Sequence, residues 1–389
     1  RGLNMQNNGL PVDRSRSFLH RANQAFFFVG GFGVASWAPL VPLLKARLGV
    51  ADDVLGLLLL CIGVGSLVTM PFAGVLAGHF GCRRVIAVDS LVFAALLVAL
   101  ARVDNIVLAV PTLLLFGSSM GIIDVTINIH AVRVEQLLKR RVMSGMHALW
   151  SVGGFMGAGL FGVWMALGFT PLGATACSAG IIVLMVLAFA RFLLAGRSAP
   201  EGRALAVPHG IVAFVAAVAG ISFLVEGAVM DWSGVFLTEV RAMDMSLAGT
   251  GFAVFSAAML LMRLLGDAIV NRLGARRVVF FGSVIAIAGF LLVIVSSSAW
   301  LIFPGFFAIG FGCANIVPIF FSLMGKQQDM TINAAVAAVS TCGYLGVLMG
   351  PAAIGFIAHS TSLLASFALL AVLLFVQLLI GLHVFRKVA

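Results

Sequence analysis

The sequence predicts an all-α membrane protein, with twelve transmembrane helices arranged as two pseudo-symmetric six-helix bundles. Three observations predict it. Hydrophobic residues make up 62% of the 389 positions and charged residues only 10%. With a mean hydropathy of +1.15, the chain lies far outside the range of water-soluble folds. The apolar residues also come in unbroken runs of about 20, enough to cross a bilayer as helix, where a β-barrel would alternate over roughly ten. Finally, features of the first half return in the second at an offset of 193, as from Gly81 to Gly274.

In chain order, the first six runs cover 19–44, 54–78, 84–102, 107–132, 143–168 and 171–195. The next six cover 210–237, 247–270, 277–296, 299–324, 332–358 and 362–385. The longest connection, 196–209, carries Arg197, Pro200, Arg203 and Pro208, and reads as a linker between bundles 1–195 and 210–389. A polar start leads directly into a full-length span, so no cleavable signal peptide is expected.

Loops on the amino-terminal side hold 19 of the 24 Lys and Arg residues. The positive-inside rule therefore predicts cytoplasmic termini in a multi-pass membrane protein; a bacterial inner membrane is implied only by the family resemblance given below. In a soluble chain the net charge of +10 would suggest nucleic acid. Here its source is these loops, so the expected partners are the lipid bilayer and a small-molecule substrate, with no nucleic acid, and the chain is expected to be a monomer.

The repeat is readable residue by residue. Gly74-x6-Gly81-Cys82-Arg83-Arg84 closes the second run, and Asp267-x6-Gly274-Ala275-Arg276-Arg277 closes the eighth. The same offset carries Gly56 to Gly249, while Ser36-Trp37 and Asp231-Trp232 correspond at 195. Two halves in the same orientation form a parallel transporter repeat, which places a binding site at their interface.

Five cysteines without a C-x-x-C pair give neither a disulfide framework nor a zinc site. The chain also lacks a Walker motif, a nucleophile elbow and a metal signature. An enzyme is not expected, nor is a cofactor.

The turn Gly74-x3-Gly78-His79-Phe80-Gly81-Cys82-Arg83-Arg84 resembles the G-x3-D-R-x-G-R-R signature of the major facilitator superfamily, with Gly78 at the usual Asp. Ile122–Glu135, the stretch around Glu226 and Asp231-Trp232, and Thr341–Gly355 resemble its fucose-permease-like branch. The resemblance implies secondary transport by alternating access, commonly driven by a proton gradient. Fucose permease uses acids on its first and fourth helices. This chain has Asp124 in the fourth run and no carboxylate in the first, so fucose specificity does not carry over. Antiporters of the family carry a Gly-Pro motif on the fifth helix. The fifth run here has glycines without Gly-Pro, which favours import over export of drugs or metabolites.

Candidate site residues are the polar groups that apolar spans rarely keep. A carboxylate at mid-membrane costs about 2.5–3.5 kcal/mol on insertion scales, yet Ile221–Phe236 holds both Glu226 and Asp231. Ser222, Glu226 and Ser233 share a helical face, with Asp231 turned about 140° away, and Gly220, Gly227 and Gly234 offer points where the helix can unwind. In the fourth run, Gly117, Gly121, Asp124 and Asn128 share a face. Asp124, Glu226 and Asp231 are candidates for proton coupling, and His147 for a proton relay. Asn128, Ser222, Ser233, Asn315 and Tyr344 are candidate hydrogen-bonding groups to substrate, Trp37 and Trp232 candidate stacking groups, and Asn23 and Gln24 candidate lining of the inner mouth. Each has a structural alternative in helix packing or the interfacial belt. Asp267, at i+4, is the expected partner of Arg263.

Overall fold

A computed structural model describes residues 12–50, 52–196, 207–243 and 250–388; residues 197–206 of the expected linker and Gly249 lie outside them. No strand occurs among the described residues. The helices are α1 (Val12–Trp37), α2 (Leu40–Leu48), α3 (Asp52–Phe80), α4 (Cys82–Leu100), α5 (Ile106–Leu138), α6 (Met143–Ala166) and α7 (Pro171–Phe189). They continue as α8 (Ile211–Val235), α9 (Thr250–Leu273), α10 (Ala275–Val295), α11 (Ala299–Cys313), α12 (Ile316–Leu323), α13 (Ile332–Ser360) and α14 (Leu363–Val388).

Among the described residues, ten spans are long and apolar enough to cross a bilayer, with α11 and α12 counting as one. Helices α1 and α4 also reach spanning length, but α1 opens on polar residues and α4 carries Arg83, Arg84 and Asp89. Two expected runs are divided. The first breaks after Trp37 and resumes as α2. The tenth breaks at Ala314-Asn315, four residues before Pro318, whose ring nitrogen has no proton to give the Ala314 carbonyl.

The chain packs as two compact units. One comprises the described residues of Arg1–Lys139, Met146–Ala206 and Ile332–Ala337; the other comprises those of Arg140–Gly145, Val207–Thr331 and Ala338–Ala389. The first turns of α6 and α13 are thus each grouped apart from the rest of their helices.

In the first unit α5 packs on α3 and α4, and α7 on α1 and α4. Helices in lipid gain little from hydrophobic burial against one another, so close backbone approach through small residues must hold them. Gly117 of α5 lies so near α3 that an added methyl would overlap the Ile62 carbonyl, and the Ser66 hydroxyl donates to the Gly117 carbonyl at 2.7 Å. An aromatic core completes the unit, with the Phe93 and Phe116 rings stacked at 4.7 Å.

The second unit repeats this arrangement, with α11 packed on α9 and α10, and α14 on α8 and α10. A methyl on Gly310 would overlap the Phe255 carbonyl; both residues stand 193 positions after Gly117 and Ile62. Likewise Gly153 meets the Phe28 carbonyl, and Gly346 the Gly220 carbonyl. Here α13 follows α6 by 193 while α8 follows α1 by 192. Gly157 on Phe32 and Gly350 on Leu224 keep the same register. The 195-residue offset expected to align Ser36-Trp37 with Asp231-Trp232 is therefore corrected: along continuous helices, the 192 register sets Ser36 and Trp37 opposite Ala228 and Val229. The turns repeat too. Gly81 and Gly274 have φ of 85° and 83°, positive values that glycine adopts readily because it has no Cβ.

Candidate functional site

In the second unit, Pro318 leaves the Ala314 carbonyl without its helical donor, and Arg263 of α9 fills the gap through Nε at 3.3 Å. The other end of the guanidinium reaches α8, where Nη2 lies 3.3 Å from Glu226 Oε1. The Arg263 side chain is 10% exposed and that of Glu226 26%. This corrects the expected Arg263–Asp267 pair. Asp267 instead accepts from the backbone amides of Ser144 at 3.0 Å and Gly145 at 2.8 Å. Those amides belong to the first turn of α6, where a helix has no internal acceptors and favours negative charge.

Asn315 sits at the break between α11 and α12, buried, and donates to the Met262 carbonyl at 3.2 Å. Gly266, one turn beyond Met262, makes room for its side chain, since a methyl there would collide with Asn315 Oδ1. Ser222 accepts a hydrogen bond from Gln377 of α14 at 2.9 Å, and both are buried. Ser233 is buried, Asp231 is exposed, and Trp232 and Tyr344 are half-buried. Gly355 faces the Trp232 ring, which an added methyl would approach to 2.8 Å. Helix α8 does not unwind at Gly220, Gly227 or Gly234. It runs unbroken to Val235 and ends in a π-helical turn, Phe236–Val240, so Glu226 and Asp231 keep their opposed directions.

In the first unit, Asp124 is half-buried on α5, and Asn128 one turn on donates to its carbonyl at 2.9 Å and to its Oδ1 at 3.4 Å. Asn23 does not stand in an open mouth. It is fully buried on α1, 2.6 Å from Nδ1 of His130. His130 Nε2 accepts the Leu194 amide at 2.9 Å, so Nδ1 carries the ring proton and donates it to Asn23 Oδ1. Gln24 is half-buried. His147 packs its ring 5.3 Å from Phe27. Trp37 is buried, 5.9 Å from Phe116, which makes it part of the aromatic core.

Three groups were missed at the level of sequence. Asp89 of α4 accepts the Ser119 hydroxyl at 3.0 Å, and its acid within an apolar run was a readable signal. Gln377 gave the same signal in the last span. His130 lay in view two residues past Asn128, about 160° around the helix from it, and so off the face on which Asp124 was placed.

Comparison with known proteins agrees with this architecture. The sequence profile of the Major Facilitator Superfamily matches residues 25–326 and 212–388. A Yersinia pestis protein described as an uncharacterized MFS-type transporter is 46% identical over 349 residues, covering 90% of this chain and 91% of that one. Membrane protein MosC of Rhizobium meliloti is 29% identical over 344 residues, 87% of this chain and 83% of its own. Among solved structures, the transporter FucP in its outward conformation has a TM-score of 0.75 at 14% identity, over 95% of this chain and 99% of its own. The human organic anion transporter MFSD10 (TETRAN) has the same TM-score at 15% identity, over 96% and 100% of the two chains. At those identities the structures speak for the fold alone. The profile match and the close relative, each over most of the chain, carry the family: this multi-pass membrane protein belongs to the Major Facilitator Superfamily of secondary transporters.

Proposed function

We propose that the chain is a proton-coupled symporter that imports a small solute across the bacterial inner membrane by alternating access. In this reading it has twelve spanning helices and cytoplasmic termini, acts as a monomer, and draws its energy from the proton gradient. The observation that carries the proposal is the Glu226–Arg263 pair inside the second unit. Taking two charges out of water costs several kcal/mol per ion, which a 3.3 Å contact repays only in part. A carboxylate that stays partly open to solvent beside a buried guanidinium can take up and release a proton, with the Arg263 contact made or released accordingly. Asp124, bonded to Asn128, supplies a second acid in the first unit.

The test is proton-driven uptake beside counterflow in proteoliposomes. Glu226→Gln mimics the protonated acid, so it is expected to exchange solute across the membrane and fail to accumulate it. Retention of accumulation removes Glu226 from coupling; loss of both activities with folding intact makes it a direct substrate ligand. A second reading, a proton-coupled antiporter exporting drugs or metabolites, keeps the same fold and acids. Import is favoured because α6 carries Gly153, Gly154, Gly157, Gly159 and Gly162 with no proline among them.

A further inference from the structure

We propose that the first unit binds the phosphate of an anionic phospholipid at the turn between α3 and α4. The site is a cavity of about 520 Å³ lined by Phe80, Gly81, Arg83, Arg84, Ala195 and Gly196. A methyl on Gly81 would come within 2.6 Å of the Gly196 carbonyl, so the chain that follows α7 closes one side of the turn. Arg83 is half-buried and Arg84 exposed. Neither has a carboxylate or carbonyl partner among the described residues. Helix α4 begins at this cavity. The first amide in its ladder is that of Val85, which donates to the Gly81 carbonyl at 3.2 Å. The amides of Cys82, Arg83 and Arg84 therefore stand outside the ladder, with no side chain capping them and no acid in the first turn. A helix start of that kind attracts negative charge, and two guanidiniums beside it add donors that fit a phosphate. A volume of this size takes a headgroup rather than a single small ion.

The surface next to the arginines favours a lipid over a free phosphate. On α4, Arg84, Val88, Leu91 and Val92 fall on one helical face, and all four are exposed. Helix α7 packs on α4 and ends in the single turn Ala190–Phe192. There Arg191 follows Leu187 by four residues and Leu184 by seven, and all three are exposed. An arginine thus tops an exposed apolar stripe on each of two neighbouring helices. A phosphate held at the turn lays its acyl chains along such a stripe, an apolar contact that a free phosphate lacks. Counting Lys and Arg makes this end cytoplasmic, the side on which anionic lipids meet basic clusters. The second unit supplies a control. Arg276 and Arg277 repeat the two charges, but a methyl on Gly274 would meet nothing within 4 Å, so no described segment closes that turn.

The test uses purified full-length protein in a neutral detergent, with bound lipid counted by native mass spectrometry and its effect read from the unfolding midpoint. The probes are dioleoyl phosphatidylglycerol, dioleoyl phosphatidylcholine, glycerol 1-phosphate and inorganic phosphate. Phosphatidylglycerol is expected to bind and to raise the midpoint, and phosphatidylcholine at the same concentration to do neither. R83Q/R84Q should bind phosphatidylglycerol roughly 30-fold more weakly and R84Q about 5-fold, while R276Q/R277Q should match the wild type. Because Arg84 is exposed, R84Q keeps the fold even where the double variant does not. Glycerol 1-phosphate or inorganic phosphate binding as tightly as phosphatidylglycerol, and weakened by the same variants, overturns the lipid and makes this a site for free phosphate. Phosphatidylcholine binding as tightly overturns the requirement for net negative charge. Equal losses in R83Q/R84Q and R276Q/R277Q overturn a built site and leave a general attraction of basic turns for anionic lipid. Undiminished phosphatidylglycerol binding by R84Q overturns the site itself.

Discussion

Arg263 and Glu226 face each other at 3.3 Å from adjacent helices α9 and α8, with the arginine locked at its other end on the Ala314 carbonyl. The pair is a property of the second unit alone. At the 193 offset, Arg263 corresponds to Met70, and the α1 register sets Glu226 opposite a position without charge. Two halves with a common backbone plan have therefore diverged in where they keep ionisable groups.

Removing one partner of the pair is expected to destabilise far more than removing both. Arg263→Gln strands the Glu226 carboxylate and should cost about 3 kcal/mol, the low end for a broken buried pair because Glu226 keeps some contact with solvent. The double change E226Q/R263Q should recover most of that loss. Thermal unfolding of the purified variants measures both, and an unrestored double variant would show that the two side chains act separately.

Asp124→Asn keeps the volume and removes the charge beside Asn128. The variant is expected to insert and purify normally and to lose pH-driven uptake. Transport at the wild-type rate would assign Asp124 to helix packing.

Gly117→Ala and Gly310→Ala should damage the two units alike. Each pushes a methyl against a backbone carbonyl, Ile62 or Phe255, and neither carbonyl can move without its helix. The expected cost is about 1–3 kcal/mol each, read as a lowered unfolding midpoint. A loss from one and none from the other would break the structural equivalence of the repeats.

Much of this was legible in the sequence, for definite reasons. A bilayer demands uninterrupted apolar length, so the run at 277–296 reappears as α10 at Ala275–Val295. The Gly81 and Gly274 turns were visible because a positive φ at that point favours glycine in both halves. Partners across helices were not legible. Asp267 stands at the ideal i+4 distance from Arg263, yet it goes to the amides of α6, because spacing along one helix says nothing about which neighbour lies closer. Pro318 does predict an orphaned carbonyl at Ala314, but not which donor will fill it. The two-residue indel inferred from paired tryptophans failed because chemical likeness was allowed to outweigh helix register; the glycine contacts fix that register directly.

Asp267→Ala should cost about 1 kcal/mol by uncapping the first turn of α6, with Asp267→Asn costing less because its carbonyl still accepts. Unfolding midpoints of the two variants check this. Equal and negligible effects would mean that water serves the Ser144 and Gly145 amides as well as the carboxylate does.

A single residue joins α3 to α4, and a single residue joins α9 to α10: Gly81 and Gly274. A connector of that length has no slack with which to hold one helix in lipid while the next waits in water. Each pair is therefore expected to enter the membrane as one hairpin, with Arg83-Arg84 or Arg276-Arg277 at its bend. The two arms of each hairpin then enter the bundle together rather than one at a time.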